Sequence, residues 1–177
     1  EKELEQIPVS IRHAQVYINI DATYVYLNRH EDAIQYSLKA LKVAENENHA
    51  FGIAISNVNI GGNYLILEDL TLAKKHLDIG YAICKENKFD SLYVNATMKL
   101  SDYFLKINDT NAALNYTNKG LELATKHGFT EHVVYLLNQL IFIYEKIQDF
   151  KSALVASKRY NEIKVNSINS ENMKIIN

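Results

Sequence analysis

The feature that most constrains this chain is a column of alanines, Ala33, Ala73, Ala113 and Ala153, each 40 residues after the last. Nine residues before each alanine stands an aromatic residue, Tyr24, Tyr64, Phe104 or Tyr144, and four residues before that an aliphatic one, Ile20, Ile60, Leu100 or Leu140. A separation of four puts aliphatic and aromatic on one face of a helix, and the small residue beyond lets a second helix approach closely. Each period therefore reads as a helical hairpin. Hairpins in register have to stack, because one alone leaves its apolar face in water.

The turns support this reading. Between aromatic and alanine come Asn28-Arg29-His30, Glu68-Asp69, Asn108-Asp109-Thr110 and Gln148-Asp149, whose polar side chains suit the free amides at a helix start. Between hairpins, Glu45 to Asn48, Asn87-Lys88 and His127-Gly128 can end a helix in a left-handed conformation. First helices are expected over residues 9–28, 49–68, 90–107 and 130–147, and second helices over 31–46, 71–87, 110–127 and 150–168. With one Pro and six Gly in 177 residues, little irregular structure is expected and strands are disfavoured. The fold class is all-α, a single domain over 1–177 of four hairpins (9–46, 49–87, 90–127, 130–168) and an exit segment, 169–177. The chain opens on Glu1 and ends on Asn177 without a clear stop signal, which reads as a piece of a longer protein.

The strings "IDATY", "IGGNY", "LSDYF" and "LIFIY", each followed at fixed distance by "DA", "LA", "AA" or "SA", resemble the tetratricopeptide repeat (TPR) signature over nearly the whole chain. That resemblance implies a right-handed α-α superhelix and a protein- or peptide-binding role. The usual unit has about 34 residues, so this period implies helices longer by less than a turn each. The small residue after the aliphatic is Gly61 or Ser101 in the middle copies but Asp21 and Ile141 in the outer ones, which predicts looser packing there. A second small column, Ala40, Gly80 and Gly120, gives way to Tyr160, as expected if the last helix faces no successor of its kind.

Little points to catalysis or cofactors. No nucleophile with a base, carboxylate pair or phosphate cradle has a motif here, so the chain reads as a non-enzyme. The glycine pair at Gly61-Gly62 falls inside a helix at a packing position. His13, His30, His49, His76, His127 and His132 never fall at the three- or four-residue spacing that puts two imidazoles on one metal, and they read as surface and turn residues. Cys84 aligns with Ala44 and Ala124 and reads as a small core residue, and being the one cysteine it excludes an internal disulfide. No cofactor or metal is expected. Nineteen basic against 21 acidic residues give a net charge of −2, and no run approaches the roughly 18 apolar residues that span a bilayer. Neither nucleic acid nor membrane is therefore expected to contact this region, which reads as soluble.

In stacked hairpins the first helices line the concave side. One residue before the aliphatic column runs Asn19, Asn59, Lys99 and Gln139, and neighbouring helical positions add Gln15, Asn95, Asp102, Lys106 and Tyr135. An amide offers both a donor and an acceptor, which suits the alternating groups of an extended peptide backbone. These nine positions are the candidate groove for a peptide or protein segment. A solvated face also fills with polar residues, and periodicity does not choose between the two.

TPR domains that clamp a terminal carboxylate resemble one another in a Lys-Asn-Asn-Lys-Arg set on the first helices. Only Lys99 and Lys106 could supply cations here, which disfavours a chaperone-tail receptor. Beyond Ala153, Tyr160, Ser167, Asn169, Glu171 and Asn172 resemble the exit segment of TPR sensor regions in bacterial signalling proteins, which precedes an output domain. That implies a sensory or regulatory binding region. The alternatives are an intracellular receptor for a signalling peptide, similar to Gram-positive quorum-sensing regulators, and a passive assembly scaffold. A homodimer is compatible with each.

Overall fold

The computed structural model describes the backbone of residues 9–176 and side chains over 11–165. Helices alternate with turns of two or three residues in the order α1 (Val9–Tyr26), α2 (His30–Asn46), α3 (Ala50–Ile66), α4 (Leu70–Asn87), α5 (Asp90–Lys106), α6 (Thr110–His127), α7 (Thr130–Lys146) and α8 (Phe150–Ile176). The described residues contain no strand. The four hairpins are α1–α2, α3–α4, α5–α6 and α7–α8, one per period.

The alanine column is where each second helix meets its first: Ala33, Ala73 and Ala113 are wholly buried and Ala153 nearly so. Ile60, Leu100 and Leu140 are buried beneath them, while Ile20, at the open N-terminal end of the stack, is half-buried. Gly61 shows why this contact needs a small residue, since a β-carbon there would lie 2.9 Å from the Leu77 backbone nitrogen across the hairpin. The aromatic column is half-buried and spends its rings on stacking: Tyr24 on Tyr36, Tyr64 on His76 and Phe104 on Tyr116, with centroids 5.4, 6.0 and 5.3 Å apart.

Two boundaries differ from the sequence reading. The first helices stop at Tyr26, Ile66, Lys106 and Lys146, one or two residues early, because Asn28, Glu68, Asn108 and Gln148 take a left-handed backbone with φ of 55 to 64°. Asn48, Lys88 and Gly128 do the same between hairpins. The last helix does not end near 168; α8 runs unbroken to Ile176, since no left-handed residue interrupts it. The exit-segment residues Ser167, Asn169, Glu171 and Asn172 belong to that continuation, with side chains outside the described ones. Tyr160 packs half-buried against the fourth hairpin's core, where earlier hairpins carry Gly80 and Gly120.

Among the described residues, α1, α3, α5 and α7 touch in sequence, whereas α2, α4, α6 and α8 do not touch one another. Splaying one row while closing the other curves the stack, so the odd-numbered helices form the concave wall.

Candidate functional site

The concave wall is bridged by polar side chains that reach from one hairpin to the next. Asp21 on α1 is 1% exposed and accepts from Asn59 Nδ2 at 2.7 Å and Asn63 Nδ2 at 3.2 Å, both on α3. The Asn63 carbonyl oxygen accepts in turn from His30 Nδ1 at 2.9 Å, at the start of α2. Asp21 thus occupies a small-residue position without loosening the first hairpin, because the second supplies amide donors that satisfy a carboxylate in a dry setting. Burial pushes its pKa upward, against the pull of Asn59, Asn63 and the Lys99 charge.

A second bridge joins α5 to α7. The Tyr135 hydroxyl donates to both oxygens of Asp102, at 3.0 and 2.8 Å, and Gln139 Nε2 donates to Asp102 as well. Burial raises the Asp102 pKa, while Tyr135, Gln139 and Lys99 oppose it; the Tyr135 phenol is raised by burial and by the Asp102 charge.

Lys99 lies between the two bridges. Its ammonium runs beside Gly62, where a β-carbon would lie 2.5 Å from Nζ, and it lines a cleft of about 220 Å³ with Asp21, Asn59 and Asn63. Ala22, Val25 and Ile66 give that cleft its apolar lining. Among the described residues Lys99 makes no hydrogen bond and no ion pair. Burial lowers its pKa, and the more distant Asp102 and Asp21 carboxylates partly restore it. A partly buried cation without a direct partner carries a desolvation cost.

Of the nine expected groove residues, the structure brings Asn59, Lys99, Asp102, Tyr135 and Gln139 into this network. The other four lie apart from it. Gln15 Nε2 donates to Asn19 Oδ1 at 3.1 Å on the exposed face of α1. Asn95 Oδ1 accepts from His132 Nε2 at 3.2 Å, and Lys106 pairs with Glu68 at 3.2 Å. Two members of the column, Asn59 and Gln139, are therefore lateral ties between hairpins, while Asn19 bonds within α1 and Lys99 bonds no protein group among the described residues. The surface reading of the histidines is corrected at His30, which is buried, and at His76, half-buried and donating to Asn57 Oδ1 at 2.8 Å. Sequence reasoning missed Asn63 as a partner of Asp21 and His30 as the partner of Asn63; the one available signal was a carboxylate in a small-residue column.

Cys84 is buried in the core of the second hairpin, and burial pushes its thiol up to about 11, as befits an inert packing residue. Among the described residues no cluster of His, Cys, Asp and Glu is arranged to hold a metal ion, and no helix is long and apolar enough to cross a membrane.

No family model matches the sequence, and no curated protein matches it. Solved structures do match in fold. Aspartyl phosphate phosphatase F from Bacillus subtilis superposes with a TM-score of 0.83 at 12% identity, over 94% of this chain and 44% of that one. The apo form of RapI gives 0.78 at 19% identity, over 97% and 63%, and BtubC from P. vanneervenii gives 0.77 at 14%, over 87% and 64%. The chain thus spans less than two thirds of each of these neighbours. Four stacked hairpins with the alanine and aromatic columns in register, and neighbours of this kind, make the fold that of a TPR-type helical-repeat solenoid.

Proposed function

We propose that this chain is a binding module, not an enzyme, and that it takes an extended peptide or protein segment along its concave wall as the sensory or regulatory region of a bacterial signalling protein. One observation carries the reading: the cleft between α1, α3 and α5 presents the Lys99 ammonium and the Asn59 and Asn63 amides over an apolar lining. Backbone carbonyls or a carboxylate of a guest suit those donors, and its side chains suit Val25 and Ile66.

A short random peptide library displayed against the native chain tests this. Enriched peptides are expected to bind the native chain and to lose about tenfold in affinity on Lys99→Met, a difference of about 1.4 kcal/mol. Selected peptides that bind Lys99→Met as tightly as the native chain would contradict the assignment.

The signalling-peptide receptor is a second reading, favoured by the similarity to aspartyl phosphate phosphatase F and to RapI. It is distinguished by a selected peptide that binds the longer protein and changes an activity outside these repeats.

A further inference from the structure

The aromatic stacking that ties each first helix to its second is broken in one hairpin. Tyr36, His76 and Tyr116 stand twelve residues after Tyr24, Tyr64 and Phe104, and each stacks on its partner at interplanar angles of 25, 24 and 11°. In the fourth hairpin the same position is Ala156, opposite Tyr144. A cleft of about 510 Å³ opens there between α6, α7 and α8, lined by Leu121, Leu137, Leu140, Tyr144 and Ala156. That is room for more than one benzene-sized ring, since a cavity of about 150 Å³ already holds benzene.

The neighbouring hairpin shows what such a box holds. Tyr116 lies flat on Phe104 and edge-on to Tyr81 at 5.5 Å, with Lys119 Nζ 5.1 Å from its ring centroid. One period later these three walls are Tyr144, Leu121 and Arg159, all lining the cleft. Lys39 stands over Tyr36 in the same way at 4.3 Å, so a cation three residues beyond the ring recurs in the first and third hairpins. Arg159 keeps the cation while Ala156 supplies only a methyl. Its guanidinium is held at the rim by donating to Thr125 Oγ1 at 2.9 Å.

We infer that this cleft, on the face away from the concave wall, receives an aromatic side chain of a partner protein, stacked on Tyr144 beneath Arg159 and carried on an acidic segment. The acidic flanks follow from the rim, which carries Lys151 and Arg159, while Asp149 is engaged in accepting from the Ser152 backbone N–H at 3.1 Å. Residues 1–8 and 166–177 contain no Phe, Tyr, Trp or His, so these 177 residues hold no undescribed ring to fill the box. The inference is independent of the Lys99 cleft, which is lined by residues of α1, α3 and α5.

The probes are two blocked peptides, Glu-Glu-Phe-Glu-Glu and Glu-Glu-Ala-Glu-Glu, titrated into the chain while the methyl resonances of Leu137, Leu140 and Ala156 are followed by NMR. Saturable shifts with the Phe peptide, and none with the Ala peptide, are expected. Ala156→Tyr should fill the box from within, raising Tm by a few degrees and weakening the Phe peptide by at least about tenfold. Tyr144→Leu, which keeps the cleft apolar but removes the platform, should abolish the preference for Phe even if Ala156→Tyr does not fold. Equal shifts from both peptides, or a folded Ala156→Tyr chain with unchanged affinity, would overturn the inference. So would a concentration-dependent dimer that Ala156→Tyr dissolves, because the occupant would then be a second copy.

Discussion

At the residue scale, the two adjacent glycines of α3 do different jobs that their neighbours make explicit. A β-carbon on Gly61 would meet the Leu77 backbone nitrogen at 2.9 Å, which cannot yield without moving α4. Gly61→Ala should therefore destabilise the chain by about 1–3 kcal/mol in chemical denaturation. The atoms nearest the equivalent carbon on Gly62 all belong to the flexible end of Lys99. Gly62→Ala should leave stability within about 1 kcal/mol of the native chain, since alanine's better helix propensity offsets the crowding, yet weaken peptide binding by displacing the ammonium. Equal destabilisation by both substitutions would contradict this division. The carboxylates of buried Asp21 and half-buried Asp102 make a prediction in pH. Asp21 and Asp102 titrate above the ordinary carboxylate value of 3.8, so the folded chain binds their protons more tightly than the unfolded one. As pH falls through that raised range toward 3.8, these two groups add stability; as it rises again, the addition is lost. Native and Asp21→Asn/Asp102→Asn chains compared by thermal melts should show the difference moving in favour of the native chain as pH falls. A difference that moves the other way would show that hydrogen bonds, not burial, dominate at these carboxylates.

At the element scale, every hairpin turn combines a left-handed residue with a helix start, and the chain seldom uses the residue best suited to the first. Glu68, Lys88 and Gln148 sit at φ of 64, 56 and 62°, where only Gly128, at 70°, does so without a side-chain penalty. Glu68→Gly and Gln148→Gly should each stabilise by about 0.5–1 kcal/mol, seen as a rise in the denaturation midpoint. The starts that follow are capped by Asp69, Asp109 and Asp149, which accept from Leu72, Ala112 and Ser152 N–H groups at 3.0, 2.9 and 3.1 Å. Asp69→Ala and Asp109→Ala should each cost about 1 kcal/mol. No cost at either would mean the helix start is held by packing alone. Helix positions and turns were legible in the sequence because each is set by residues within a few positions of one another. The second helices came out within one residue except at the end of α8, where the polar sequence after Ala153 carries no stop that periodicity alone could place. The stacking partners Tyr36, His76 and Tyr116 are equally periodic, but their position varies in residue type where the alanine column does not.

At the scale of the whole molecule, the site was less legible than the fold. Its bonds join residues 33 to 42 apart on neighbouring hairpins, Asp21 with Asn63 and Asp102 with Tyr135 among them. A repeat register aligns like positions but does not say which unlike ones touch. Five of the nine expected groove residues converge on Lys99 and its neighbours, while Gln15, Asn19, Asn95 and Lys106 bond elsewhere along the wall. The network ties α1 to α3 and α5 to α7, and Lys99 lies between the two ties without bonding either among the described residues. The most direct test is to map, by backbone amide chemical shifts, where a library-selected peptide touches the chain. Shifts are expected to concentrate on Asp21, Asn59, Gly62, Asn63, Lys99 and Tyr135, with the outer faces of α2, α4 and α6 unmoved. Shifts confined to those outer faces, with the concave wall silent, would contradict this expectation.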